Sequence, residues 1–133
     1  MGVMEQIRSR AAADSPLWAA ALREGEAPEP EYAARCPERY LLGVEMIREG
    51  YLLHHGSSRL FRQDDPDLAL LTGDYLYAAG LVEICATGDL DAVAALADLI
   101  SRCSAARGDG RAGEDEAMWR ATVAGLGAAA AAG

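Results

Sequence analysis

The chain has 133 residues, enough for one compact domain, and half of them are hydrophobic, so a core can form without disulfides or metals. Acids outnumber bases 21 to 12, for a formal charge of −9, and every base is an arginine. That balance excludes a generic nucleic-acid binder, which needs a basic stripe to neutralise phosphates, and argues against docking on an anionic membrane face.

Alanine occurs 28 times, and strict apolar–polar alternation is absent from every window. Both features point to an all-α chain, a compact bundle of about five to six helices in a single domain over 1–133. The N-terminus has neither the apolar stretch of a secretory signal nor a myristoylation pattern, and the alanine tail is too short to span a bilayer. The expectation is a cytoplasmic protein without membrane insertion. Cys36, Cys85 and Cys103 are odd in number with no CxxC spacing, and are expected to be reduced and mostly buried.

In chain order, a first helix is expected over about 2–13. Asp14-Ser15-Pro16 caps a second, reaching about Glu24. Residues 25–31, with Pro28 and Pro30, form a flexible loop. A long helix is predicted from about Pro37 to Leu60, with Tyr40, Leu41, Val44, Ile47, Tyr51 and Leu52 on one face. Gly43, Gly50 and Gly56 should weaken its C-terminal half. Asp65-Pro66-Asp67 is the sharpest helix start in the chain. The segment from Leu68 to Ala86 is apolar nearly all round, with Leu71, Tyr75, Ala78, Val82 and Cys85 on one stripe; this predicts a central helix, or one shared with a partner. A helix from Leu90 to about Ala106, a flexible break over 107–113, a last helix opened by Glu114-Asp115-Glu116 and a frayed tail over 127–133 complete the reading.

Candidate chemistry is thin. Asp64, Asp65 and Asp67 invite a hard cation, but their spacing around Pro66 suits a helix cap better. His54 and His55 are adjacent and diverge by about 100° on a helix, so a shared metal would need Glu45 or Asp74 as well. No catalytic site is predicted, and these five residues are the weak candidates for a metal. Asp74, directly after Gly73 in an apolar helix, must face solvent or pair with an arginine, while Gly73 marks a close helix approach.

The stretch Leu71-Thr72-Gly73-Asp74-Tyr75-Leu76-Tyr77-Ala78 resembles a helix of the trans-prenyl diphosphate synthases, in the isoprenoid synthase superfamily. The similarity runs forward through Gly88-Asp89 to Ser101-Arg102 and back to Leu53-His54-His55, covering about residues 40–107. Catalytic members are more than twice as long and carry two DDxxD-type motifs, whereas this chain has His54-His55-Gly56-Ser57 near the first position and nothing like the second. The resemblance is therefore closest to the small or regulatory subunits of heterodimeric hexaprenyl or heptaprenyl diphosphate synthases. It implies a reduced isoprenoid-synthase-like bundle and a non-catalytic accessory subunit serving quinone side-chain synthesis. It also implies no cofactor in this chain, with magnesium held by a catalytic partner. Interface candidates are Gly73, Asp74, Tyr75, Tyr77 and Leu81. The alternatives are a small metal-dependent enzyme using His54, His55 and the Asp64–Asp67 cluster, or a homodimer binding an apolar ligand. With so much apolar helix surface, the chain is expected not to be monomeric in isolation.

Overall fold

The computed structural model describes residues 1–132, with side chains to 129. It is all-α: α1 (Val3–Asp14), α2 (Pro16–Ala21), α3 (Glu38–His55), α4 (Pro66–Ala86), α5 (Leu90–Gly108) and α6 (Asp115–Ala132), with a 3-10 turn at Ala112–Glu114 before α6. Three starts are capped as their residues dictate. Ser15 Oγ accepts from Leu17 N, Asp65 Oδ1 from Asp67 N and Leu68 N, and Asp89 Oδ1 from Ala92 N.

Two boundaries differ from the sequence reading. The second helix stops at Ala21 because Leu22 forms a bridge with Phe61, closed by Arg23 N to Leu60 O and Arg62 N to Ala21 O, both 2.8 Å. The third stops at His55 instead of running to Leu60. There the side chain of Gln63 turns back, and its Nε2 donates to the carbonyls of Leu52, Leu53 and Gly56. The Leu53 and Gly56 carbonyls, which a longer helix would have satisfied, are taken by one amide, and Leu60 and Phe61 are buried from a loop. Residues 127–132 continue α6, and Gly133 of the expected frayed tail lies outside the described residues.

The central helix is α3, not α4. On one side Tyr40, Val44, Ile47 and Tyr51 pack with Leu96, Leu99, Trp119 and Val123 of α5 and α6. On the other, Met46 and Leu53 pack with Met4 and Ile7 of α1, with Leu60 and Phe61 of the loop after α3, and with Leu76 of α4. With neighbours on both sides α3 is buried almost all round, its charged Glu45, Arg48 and Glu49 included.

The closest contact is between α3 and α4, which run antiparallel. A Cβ on Gly80 would lie 2.8 Å from Gly43 O, and one on Gly50 would lie 2.9 Å from Gly73 O. Each helix thus places two glycines seven residues apart, and each glycine faces one on its neighbour. Two of the three glycines expected to weaken this helix, Gly43 and Gly50, are what let α4 approach. Glycine costs about 1 kcal/mol against alanine in a helix interior, offset here by the backbone-to-backbone packing.

Candidate interaction surface and the buried charge network

Only one flank of α4 faces α3. Ala69, Thr72, Gly73, Leu76, Gly80 and Ile84 are buried. On the α1–α2 side, Tyr75 stacks on Trp18 with centroids 5.3 Å apart, its hydroxyl donates to Asp14 Oδ2 at 2.6 Å, and Glu83 pairs with Arg10. On the α5 side, Tyr77 and Leu81 meet Ile100. What remains is an outer face carrying Leu70, Leu71, Asp74, Ala78, Val82 and Cys85. Leu70 is 50% exposed, Leu71 56% and Val82 60%. Of the stripe Leu71, Tyr75, Ala78, Val82 and Cys85, all but Tyr75 therefore point outward. Among the described residues α4 is also the one helix long and apolar enough to cross a membrane, with a window of mean hydropathy 1.4, a third of it buried against the rest of the chain.

An apolar cavity of about 220 Å³ indents the edge of this face, lined by Ile47, Tyr77, Leu81, Ala97 and Ile100. The Tyr77 hydroxyl is buried without a hydrogen-bond partner, and desolvation pushes its pKa up. A larger depression of about 540 Å³ between α5 and α6 is of mixed character, lined by Asp89, Asp91 and Asp98 beside Ala92, Ala95 and Leu126, with Arg102 Nε 2.7 Å from Asp98 Oδ2.

The interface candidates fall on different sides of the helix. Gly73 is buried against α3, where a Cβ would meet the His54 ring and lie 3.0 Å from Gly50 O, so its close approach is internal and it cannot touch a partner. Tyr75 is engaged by Trp18 and Asp14, and Tyr77 lines the cavity. Leu81 borders the outer face. Asp74 lies within it, its side chain 70% exposed, and no arginine holds it. Its neighbour is His54, whose Nε2 lies 3.3 Å from Asp74 Oδ1 and 3.0 Å from Leu70 O. Both are acceptors, so Nε2 carries the proton.

The weak metal candidates are not brought together. The His54 ring turns to α4 and meets Tyr77 edge-on, while His55 packs against Tyr51 at 4.8 Å. Asp65 is occupied as the cap of α4, and Asp64 and Asp67 are exposed. Among the described residues no group of three or more His, Cys, Asp or Glu could hold a metal ion.

The sequence reading missed a buried charge network on α3. Glu45 and Glu49, both fully buried, stand one turn apart and share the guanidinium of Arg59, whose Nη2 is 3.3 Å from each. Glu49 also accepts from Ser58 Oγ at 3.0 Å and Arg59 N at 2.8 Å, and Glu45 from Glu31 N and Tyr32 N. Desolvation pushes the Glu45 carboxyl above its ordinary range, an effect the backbone N–H groups and Arg59 only partly offset. These are the carboxylates best placed to hold a cation, and a side-chain cation already sits between them. Arg48, on the same helix, bonds Glu31 at 2.8 Å and Glu116 at 2.9 Å and lies over the Trp119 ring. The network ties the 22–37 segment, the 56–65 loop and α6 to α3.

A second cluster closes the far end of α3. Tyr51 donates to Asp115 Oδ2 at 2.7 Å, and Arg107 donates to both. Burial acts to raise the Asp115 pKa, but the hydrogen bonds from Tyr51 and Arg107 outweigh it and hold the carboxyl below its ordinary value. His55 beside it is pushed down, first by burial and then by the Arg107 charge. The signal in the sequence was Glu45-Met46-Ile47-Arg48-Glu49 itself, with charges on the same helix turns as core residues.

Comparison with protein-family models, curated proteins and solved structures yields no match to the chain. The geometry alone therefore defines the class: an all-α domain whose buried charges are internally paired and whose most apolar helix presents a long face to solvent.

Proposed function

We propose that the chain is a non-catalytic accessory subunit that docks through the outer face of α4 on a catalytic polyprenyl diphosphate synthase. The observation that carries this is the exposure of Leu70, Leu71 and Val82 on one continuous face of the helix that bears the Leu-Thr-Gly-Asp-Tyr-Leu resemblance. Contiguous apolar surface of this kind marks an interaction site in a folded domain. Burying one such side chain contributes about 1.5–3 kcal/mol, so a handful supports a stable complex. Magnesium and the diphosphate substrates would bind the synthase, in the cytoplasm, and this chain would complete a helix interface and so influence product length in quinone side-chain synthesis.

The test is co-expression with the full-length synthase of the same organism, followed by size-exclusion chromatography and product analysis. A complex that changes product length, and that Leu71→Glu with Val82→Glu abolishes while helical circular dichroism is kept, supports the proposal. A synthase that never co-elutes with the chain overturns it.

A further inference from the structure

The spacing along the outer face of α4 specifies the chemistry of what covers it. Leu71, Asp74, Ala78, Leu81 and Cys85 follow one another in alternating steps of three and four residues, the pattern of a helix-pairing seam. One position in that seam is a carboxylate. Asp74 is exposed, and its contact within the chain is the single Nε2–H of His54, which is shared with Leu70 O. From Pro66 to Ala86 there is no arginine, lysine or histidine. Pairing α4 with α4 of a second copy therefore supplies no cation in any register. A parallel pair sets Asp74 against Asp74. An antiparallel pair centred on Ala78 sets it against Val82. A carboxylate buried with only a shared imidazole N–H opposes association, and two chains of charge −9 repel at longer range.

Resting on the docking role of α4, we infer that its occupant is a different chain, which presents an apolar helix bearing an arginine or lysine opposite Asp74. The base meets Asp74 as the face is desolvated, and one large apolar side chain of the same helix enters the cavity between Tyr77, Leu81 and Ile100. Asp74 then acts as a selectivity device: it rejects a second copy and a lipid surface, and it fixes the register of the partner. The 540 Å³ depression between α5 and α6 suits a large apolar side chain less well, because Asp89, Asp91 and Asp98 line it.

The test has two arms. In the first, sedimentation compares the parent chain alone with Asp74→Leu and Asp74→Asn at micromolar concentration. Contrary to the self-association expected from the apolar surface alone, Asp74 leads us to expect a monomeric parent and self-associating uncharged variants. A parent dimer that Val82→Glu disperses would show that a second copy is the occupant and overturn the inference. Flotation of the parent with phosphatidylcholine vesicles would do the same. The second arm titrates the catalytic synthase chain. Parent affinity is expected to fall as salt rises, and Asp74→Arg to weaken binding by at least about tenfold, with Asp98→Arg on α5 as the control of equal charge change. Undiminished binding of Asp74→Arg overturns the inference while leaving the accessory-subunit reading standing. If the synthase does not bind the parent chain, that reading fails, and sedimentation alone decides this inference.

Discussion

The two longest-contacting helices of the molecule, α3 and α4, reverse the usual relation between polarity and burial. The helix with Glu45, Arg48 and Glu49 in its middle is buried all round, whereas the helix with only Asp67, Asp74 and Glu83 among 21 residues leaves a full face in solvent. Burial of a helix is decided by how many sides have neighbours: both helices contribute to the two hydrophobic clusters, but α3 lies between them, whereas α4 borders them from outside and keeps one face uncovered. Charges are tolerated inside when each has a hydrogen-bonded counterpart.

The largest break in this relation comes from removing the cation that α3 depends on. Arg59→Ala leaves Glu45 and Glu49 buried with no counter-charge, and stability should fall by about 3–5 kcal/mol in urea denaturation. Glu45→Gln in the same background should recover part of the loss. Little change on Arg59→Ala would show that the two carboxylates reach water.

Next comes the seam between the helices. Alanine at position 80 gains about 1 kcal/mol of helix propensity. Its Cβ, however, would fall 2.8 Å from Gly43 O and 2.6 Å from Ile47 Cγ1. Overpacking of this kind costs about 1–3 kcal/mol, so Gly80→Ala should lower the denaturation midpoint. A raised midpoint would mean that α3 and α4 are further apart than described. Because Gly73 lies in the same seam, Gly73→Leu should damage folding itself and not merely association.

A smaller effect is expected from acid. The folded His55 pKa lies below the ordinary 6.5. The unfolded chain therefore takes up its proton first, so stability is fully present above 6.5 and is lost as pH falls from there toward the folded value. Asp115, depressed as well, acts in the same direction further into acid, while Glu45, raised above 4.5, acts oppositely. The melting temperature should thus decline as pH is lowered through 6.5, and His55→Gln should flatten that slope. A parent profile already flat there would place His55 in solvent.

The smallest effect on stability belongs to the outer face. Val82→Glu should change the unfolding free energy by no more than about 0.5 kcal/mol, since the side chain touches solvent already. A large loss would mean that Val82 packs inside the chain.

Much of this was legible in the residues. Asp65-Pro66 announced the start of α4, and Ser15-Pro16 that of α2, because cap chemistry is local. Gly73 was legible as a mark of close approach, although its partner proved to be α3 of the same chain. The end of α3 was not legible, since it rests on Gln63 folding back from a loop. Nor could periodicity identify the outer side of α4: with apolar residues on every face, only the glycines at 73 and 80, spaced like those at 43 and 50, distinguish inside from outside. The burial of the α3 charges was not legible, because i, i+3 and i+4 spacing is the same on a surface and in an interior; Arg59, which makes the difference, comes from the following loop.

Cysteine reactivity tests the central claim, docking through α4, most directly. Cys36 and Cys103 are buried, with burial pushing the Cys36 thiol up to about 12, while Cys85 lies exposed on the outer face of α4. Timed alkylation of the free chain should modify Cys85 quickly and the other two slowly. In the complex with the catalytic synthase, Cys85 should become protected while the buried pair is unchanged. A Cys85 that reacts as fast in that complex as in the free chain would contradict docking through this face.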